Sequence, residues 1–310
     1  MLAALVLKVA VSQPLQNGSI TLRIRPRWPS GVCMFWLGAW LIIATIPPPA
    51  RADELAADRW QFGFTPYVWA AGLEGQVGVR GITAAVDASF IDILNDTNSV
   101  IGLQGHFEAR YGPWGGFFDG TWVKLGADGI PSGLTTLRVE NELALVELGA
   151  LYHLGEWSLG RGGSDFMAEG EPRLAIDLYA GGRLTYLEVD LGVNRAPPPD
   201  RRDFAPPMSV DVSRWQLWVD PMIGSRFTVD LYKHFQLLVG GDIGGFGVGS
   251  HFTYSILGLL GYRFQMFGRA AIAHAGYRTL SQNYATRTDG DLFRWDMIMH
   301  GPILGLTIRF

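Results

Sequence analysis

The stretch Gly301-Pro302-Ile303-Leu304-Gly305-Leu306-Thr307-Ile308-Arg309-Phe310 alternates up to its last residue. Leu304, Leu306, Ile308 and Phe310 fall on one side of an extended strand, with Ile303, Gly305, Thr307 and Arg309 on the other, because successive strand side chains point to opposite faces. The last residues of a soluble domain usually fray into a polar tail. An apolar stripe that runs to a terminal aromatic predicts a paired strand with an apolar environment on one face.

The same period of two recurs upstream. Leu103 and Phe107 alternate with Gln104, His106, Glu108 and Arg110. Leu174, Ile176, Leu178, Leu184 and Tyr186 alternate with Asp177, Tyr179, Arg183 and Thr185. Trp215, Leu217, Val219, Ile223 and Phe227 alternate with Trp218, Asp220, Arg226 and Thr228. Each apolar side is long enough to cross a bilayer as a tilted strand of about 10 residues. Composition agrees: 48% of the 310 residues are hydrophobic, 12% aromatic and only 17% charged, and there are 40 glycines. That is rich in apolar residues for a water-soluble chain.

Residues 1–52 carry all their charge as Lys8, Arg23, Arg25, Arg27 and Arg51. Removing those five from the 25 basic residues leaves 20 against 29 acidic ones, a formal charge of −9 that argues against a nucleic-acid partner. Three arginines precede the apolar run Met34 to Ile46, and Ala50-Arg51-Ala52 has the small-x-small form of a signal-peptidase site. Residues 1–52 therefore read as a secretory signal whose cleavage site is formed by Ala50 and Ala52, with the cut before Asp53, leaving 53–310 as a single barrel domain. The run falls short of the roughly 20 residues of a spanning helix. The segment before Ile20 is odd for a signal, and a translation start at Met34 or a nearby upstream codon would leave it upstream of the true start. Cys33 is the only cysteine, so no intramolecular disulfide can form.

Tight connections near Pro113-Trp114, Tyr232-Lys233 and Gln265-Met266-Phe267 alternate with longer polar ones over 126–134, 191–212 and 283–291. Short turns at one end and long loops at the other are the pattern of a transmembrane barrel. The connection at 154–172 breaks it and reads as a flexible insertion. The expected strands are 60–71, 99–111, 115–125, 136–153, 174–190, 214–230, 234–245, 252–264, 269–281 and 293–310. The fold class is all-β: an antiparallel transmembrane barrel of about ten strands. Residues 73–90 read as an additional hairpin around Arg80-Gly81, followed by a short helix at 91–95. Twelve strands result if that hairpin joins the wall, and eight if weak strands merge. A soluble β-sandwich is the competing reading.

Bacterial outer-membrane barrels generally end in a strand with a terminal aromatic, a hydrophobic residue two before it and a glycine five before it, which the barrel-assembly machinery reads. Phe310, Ile308 and Gly305 match that assembly signal, while Ile303 replaces the usual polar residue. The blocks TPYVWAAGLEGQVGV (65–79), WVDPMIGSRF (218–227), GDIGGFGVGSHFTY (241–254), GYR (276–278) and GPILGL (301–306) resemble a family of small, mostly uncharacterised Gram-negative outer-membrane β-barrel proteins. These are similar in architecture to the outer membrane protein A and W barrels. His251 departs from the family block, where an acidic residue is more usual. The resemblance implies location and fold, with no established reaction or ligand.

Alternation assigns candidate lumen charges: Glu108, Asp119, Glu140, Glu142, Glu147, Asp177, Arg183, Asp220, Arg226, Asp242, Arg263, Arg278, Arg294 and Asp296, with His106, Arg110, His274 and His300 beside them. Mixed signs suit a packed, salt-bridged interior; the alternative is a hydrated path whose selectivity those side chains set. GDIGGFGVGS (241–250) lacks the Lys-Ser/Thr ending of a phosphate loop, and its glycines suit strand bending, a tight turn and close backbone approach. In the last strand, apolar residues are odd-numbered at Phe293, Trp295, Met297 and Met299 but even-numbered from Leu304, which predicts a bulge at Gly301-Pro302. No His-x-Ser pair or metal-ligand spacing occurs, and Ser250 and His251, being adjacent, point apart.

The expectation is a monomeric barrel of the bacterial outer membrane, acting as a structural barrel or narrow passive pore. It would have no cofactor, no catalytic or metal site and no nucleic-acid partner, and its partners would be outer-membrane lipid and the assembly machinery. A membrane-embedded enzyme acting on lipid or peptide, or a receptor using its outer loops, is the alternative.

Overall fold

The computed structural model describes residues 59–79, 82–96, 99–132, 135–159, 172–195, 208–232, 234–288 and 291–310. The expected signal with Ala50 and Ala52, the Arg80-Gly81 turn, and most of the 154–172 and 191–212 connections lie outside the described residues.

The elements are β1 (Trp60–Trp69), β2 (Gly72–Val79), β3 (Ile82–Ala88), α1 (Phe90–Asp96), β4 (Ser99–Tyr111), β5 (Trp114–Ser132), β6 (Thr135–Ser158), β7 (Arg173–Arg195), β8 (Met208–Tyr232), β9 (Phe235–Gly244), β10 (Phe252–Met266), β11 (Arg269–Thr288) and β12 (Asp291–Arg309). From β4 to β12 each strand pairs antiparallel with the next. β1 pairs with β4 on one side and β12 on the other, closing a ten-stranded wall.

The β2–β3 hairpin adds to β12 above β1 and is not one of the ten staves. β1 and β2 run in one register along β12, with Trp69 opposite Ile303 and Gly72 opposite His300. On the other side β1 pairs with β4 only from Trp60 to Pro66. Beyond it, the Gln104 side chain accepts a hydrogen bond from the Trp69 N–H and donates to the Trp69 carbonyl, so those backbone groups keep partners where β4 diverges.

The expected bulge at Gly301-Pro302 is absent. β11 and β12 pair without a shift from Ala271 opposite Ile308 to Thr288 opposite Asp291. Trp295, Met297 and Met299 therefore share the inner face with Ile303 and Thr307. Gly301 serves a different purpose: a Cβ there would meet the Ala70 carbonyl oxygen at 2.0 Å, and Ala70 donates its N–H to the Pro302 carbonyl. Glycine lets the β1–β2 link press directly on β12.

The outer face is apolar around the wall. Phe64, Val68, Leu103, Phe107, Phe118, Leu148, Ile223, Leu260 and Leu304 are all exposed. A ring of aromatics marks the short-turn end: Trp60 stacks on Phe62, Trp114 meets Tyr152 edge-on at 4.8 Å, and Phe235 meets Tyr262 at 5.2 Å. A sparser set, Tyr186 with Trp215 and Phe252 with Tyr254, marks the other side. An apolar band between two aromatic girdles is the surface a bilayer requires.

The wall is tall at β6, β7 and β8, with 24, 23 and 25 residues, and low at β9, with 10. Segments expected as loops at 126–134 and 283–291 are mostly continuations of β5, β6, β11 and β12. Above the low β9–β10 corner, the extended parts of β5 to β8 form one flap, and those of β11 and β12 with the β2–β3 hairpin form another. Their inner faces pack together through Leu187 and Trp218 from the first and Val77, Val86, Tyr284, Trp295 and Met297 from the second.

Candidate functional site in the barrel interior

From the loop end inward, the lumen is first apolar, then charged, then hollow. Trp218 on β8 stacks on Tyr284 on β11 with ring centroids 4.2 Å apart and planes 7° from parallel. Below lie Trp69, Leu145, Leu280, Met299 and Ile303 in a second cluster. The β9–β10 corner is drawn inward at this level. Ser250 donates both its N–H and its hydroxyl to Asp220, and a Cβ at Gly249 would meet the Val219 carbonyl oxygen at 2.5 Å. Gly245, Phe246 and Gly247 take positive φ values of 83°, 47° and 77° to make the reversal. The glycine-rich block is thus a folded corner. Ser250 is fully buried against Asp220 while His251 is exposed.

A buried ion network spans the middle. The Arg183 Nε donates to Glu147 at 2.8 Å, and its terminal nitrogens donate to Asp242 at 2.9 Å and to Thr253 at 3.1 Å. Arg278 reaches the same Glu147 at 2.8 Å and Asp119 at 3.2 Å, and lies over the Trp69 ring at 5.0 Å. The Tyr67 hydroxyl donates to Asp119 at 2.8 Å. Closer to the turns, Arg226 is shared by Glu108 and Asp177, each at 2.8 Å, while Arg110 also holds both carboxylates. Burying such charges is costly unless every one is paired and hydrogen-bonded, as Arg183 is.

Below the network a cavity of about 740 Å³ occupies the turn end. His106, Glu108, Arg110, Asp177, Arg226, Arg263, His274 and Arg309 line it. The Arg263 side chain pairs with Asp230 and reaches Gln236 at 3.1 Å, while the His274 Nε2 meets the Thr307 hydroxyl at 2.8 Å.

Four charges assigned to the lumen lie elsewhere. Glu140 and Glu142 pair across β5 and β6 with Gly126 and Lys124 and stand on the outer face, where Lys124 meets Glu140 at 3.2 Å and the Trp122 indole donates to Glu142 at 2.8 Å. Arg294 and Asp296 are exposed on the outside of β12, and His300 also lies on that side, 2.6 Å from the Tyr277 hydroxyl. Above the bilayer the outside of a strand meets water, so charge there is expected. Of the assembly pattern, Gly305 faces Tyr67 across β1, Ile308 lies opposite Phe64, and Phe310 exchanges backbone hydrogen bonds with Phe62.

Sequence reasoning missed the neutral partners that complete the network: Tyr67, Thr121, Thr253, and the Gln282 amide that donates to the Thr185 hydroxyl at 2.8 Å. It also missed the Trp218–Tyr284 closure. Parity offered a signal, since Trp218 has the phase of Asp220 and Arg226, and Tyr284 that of Arg278.

The closed antiparallel wall, the girdled apolar exterior and the polar interior define a transmembrane β-barrel of the outer-membrane type. No family model matches the chain, and no curated protein matches it. Among solved structures it is similar to Ail, the attachment invasion locus protein of Yersinia pestis, at 12% identity over 81% of this chain and 98% of that one, with a TM-score of 0.30. The Pseudomonas putida toluene transporter TodX aligns at 9% identity over 82% and 90% of the two chains, with a TM-score of 0.24. A Pseudomonas aeruginosa FadL homologue aligns at 9% identity over 86% and 94%, with a TM-score of 0.27.

Proposed function

We propose that this chain is a structural barrel of the bacterial outer membrane whose lumen is shut, with its short turns in the periplasm and its two flaps outside the cell. The observation that carries this is the filled interior. Arg183, Asp220, Leu280, Gln282 and Met297 are fully buried, and the Trp218–Tyr284 stack lies over them. Among the described residues, a side-chain column packed in this way leaves no water-filled path through the loop end. In this reading the protein is not an enzyme, it inserts as a monomer through the barrel-assembly machinery, and membrane lipid is its constant partner.

Recording from purified protein in planar bilayers tests the reading. The expected result is no steady current above the bare bilayer. Large, lasting conductance steps in the wild type would overturn it in favour of a pore.

A further inference from the structure

We infer that the turn-end cavity is a binding site for a small, water-soluble oxyanion of phosphate or polycarboxylate type, with Arg309 as its principal contact. The cavity is lined by seven arginines, Arg59, Arg110, Arg173, Arg226, Arg263, Arg278 and Arg309, and by five carboxylates. Each carboxylate is already engaged: Glu108 and Asp177 by Arg110 and Arg226, Asp119 by Arg278, Asp230 by Arg263, and Glu156 by Arg173. None of these five side-chain carboxylates is left free for an entering cation.

An anion would find a free guanidinium. Among the described residues the Arg309 side chain makes neither a hydrogen bond nor an ion pair. It is attracted by Glu108 but repelled by Arg110 and Arg226, and it in turn repels Arg263. The His274 Nδ1 is buried without a hydrogen-bond partner while its Nε2 is held by Thr307. A guanidinium fork directed at a half-enclosed, net-positive space matches the geometry of a phosphate or carboxylate group. The apolar layer above makes the cavity a blind vestibule, so occupancy is an equilibrium property and requires no conductance.

The test uses full-length mature protein folded in detergent, titrated calorimetrically with inorganic phosphate and with citrate at fixed ionic strength, with chloride as the control. Saturable binding of one or both to the wild type is expected, weakened about tenfold or more in Arg309→Gln and retained in Arg269→Gln, whose guanidinium instead lies over the Phe310 ring at 5.1 Å. Arg309→Lys should recover part of the affinity, which separates loss of charge from misfolding. Binding that is absent in the wild type, or equal in Arg309→Gln, would overturn the site. Repeating the titration in nanodiscs containing phosphatidylglycerol distinguishes the ligand source. Unchanged affinity supports a soluble anion, and competition by the lipid would reassign the site to a headgroup. Current through the wild-type barrel would refute the shut lumen without touching this result.

Discussion

Trp218 and Tyr284 lie face to face at 4.2 Å although they belong to β8 and β11, which are not paired in the sheet. The stack bridges the gap left where β9 and β10 stop short, joining the two flaps across the mouth. Closure of the loop end is therefore a packing event between side chains and not a hydrogen-bonded seam.

Removing one ring should loosen that closure. Trp218→Ala is expected to cost about 3–5 kcal/mol, whereas Trp215→Ala, on the exposed outer face, should cost far less. Urea titration of detergent-folded protein, read by gel mobility with and without heating, measures both. Equal midpoints for the two variants would show that the flaps do not depend on the stack.

Arg183 holds Glu147 and Asp242 together at zero exposure. Arg183→Met strips the buried Asp242 of its guanidinium and leaves Glu147 to Arg278 alone, and should cost about 3–5 kcal/mol. Glu156→Gln, which breaks only the exposed 3.9 Å pair with Arg173, should cost under about 1 kcal/mol. The same urea titration ranks them, and comparable losses would remove the network from the stability account.

Gly301→Ala places a methyl where the Ala70 carbonyl lies, and neither backbone can yield without parting β12 from the β1–β2 link. A loss at or beyond the upper end of about 1–3 kcal/mol is expected, together with a lower yield of folded barrel. Gly258→Ala, with nothing within 4 Å of its added carbon, should fold normally. Refolding yields measured side by side decide the point.

α1 opens with a reciprocal cap. The Ser89 N–H and hydroxyl donate to the Asp92 carboxylate at 3.0 and 2.6 Å, and the Asp92 N–H returns a bond to the Ser89 hydroxyl at 3.2 Å. Those donors hold the Asp92 carboxyl below its ordinary range. A depressed acid stabilises the folded form above its unfolded value, and that contribution fades as pH falls through the folded one. The protection of the α1 amides, taken relative to their intrinsic exchange rates at each pH, should therefore fall in acid, and Ser89→Ala should lower it roughly fivefold at neutral pH. Protection factors that do not change with pH would rule the cap out.

Most of the wall was legible because alternation is a local property of each strand. The segments 99–111, 252–264 and 60–71 lie within two residues of β4, β10 and β1, and the hairpin and short helix after Leu73 are both present. An even number of about ten, with eight and twelve left open, and the antiparallel direction and membrane-facing side followed from phase and from the spacing of turns. The errors share one cause. Within the bilayer a strand is apolar outside and polar inside, but beyond it, where water lies outside and the two flaps pack inside, that polarity reverses with no change of register. Trp295 and Met297 therefore looked like outward residues displaced by a bulge, and Glu140, Glu142, Arg294 and Asp296 looked like lumen charges. The sequence by itself determined the strands, their pairing order and the apolar belt. Only the tertiary structure decided where the polarity reverses, that the β2–β3 hairpin lies above the ten closed strands, and which charges meet across the lumen. Those depend on how tall each strand stands and what faces it, which no single strand encodes.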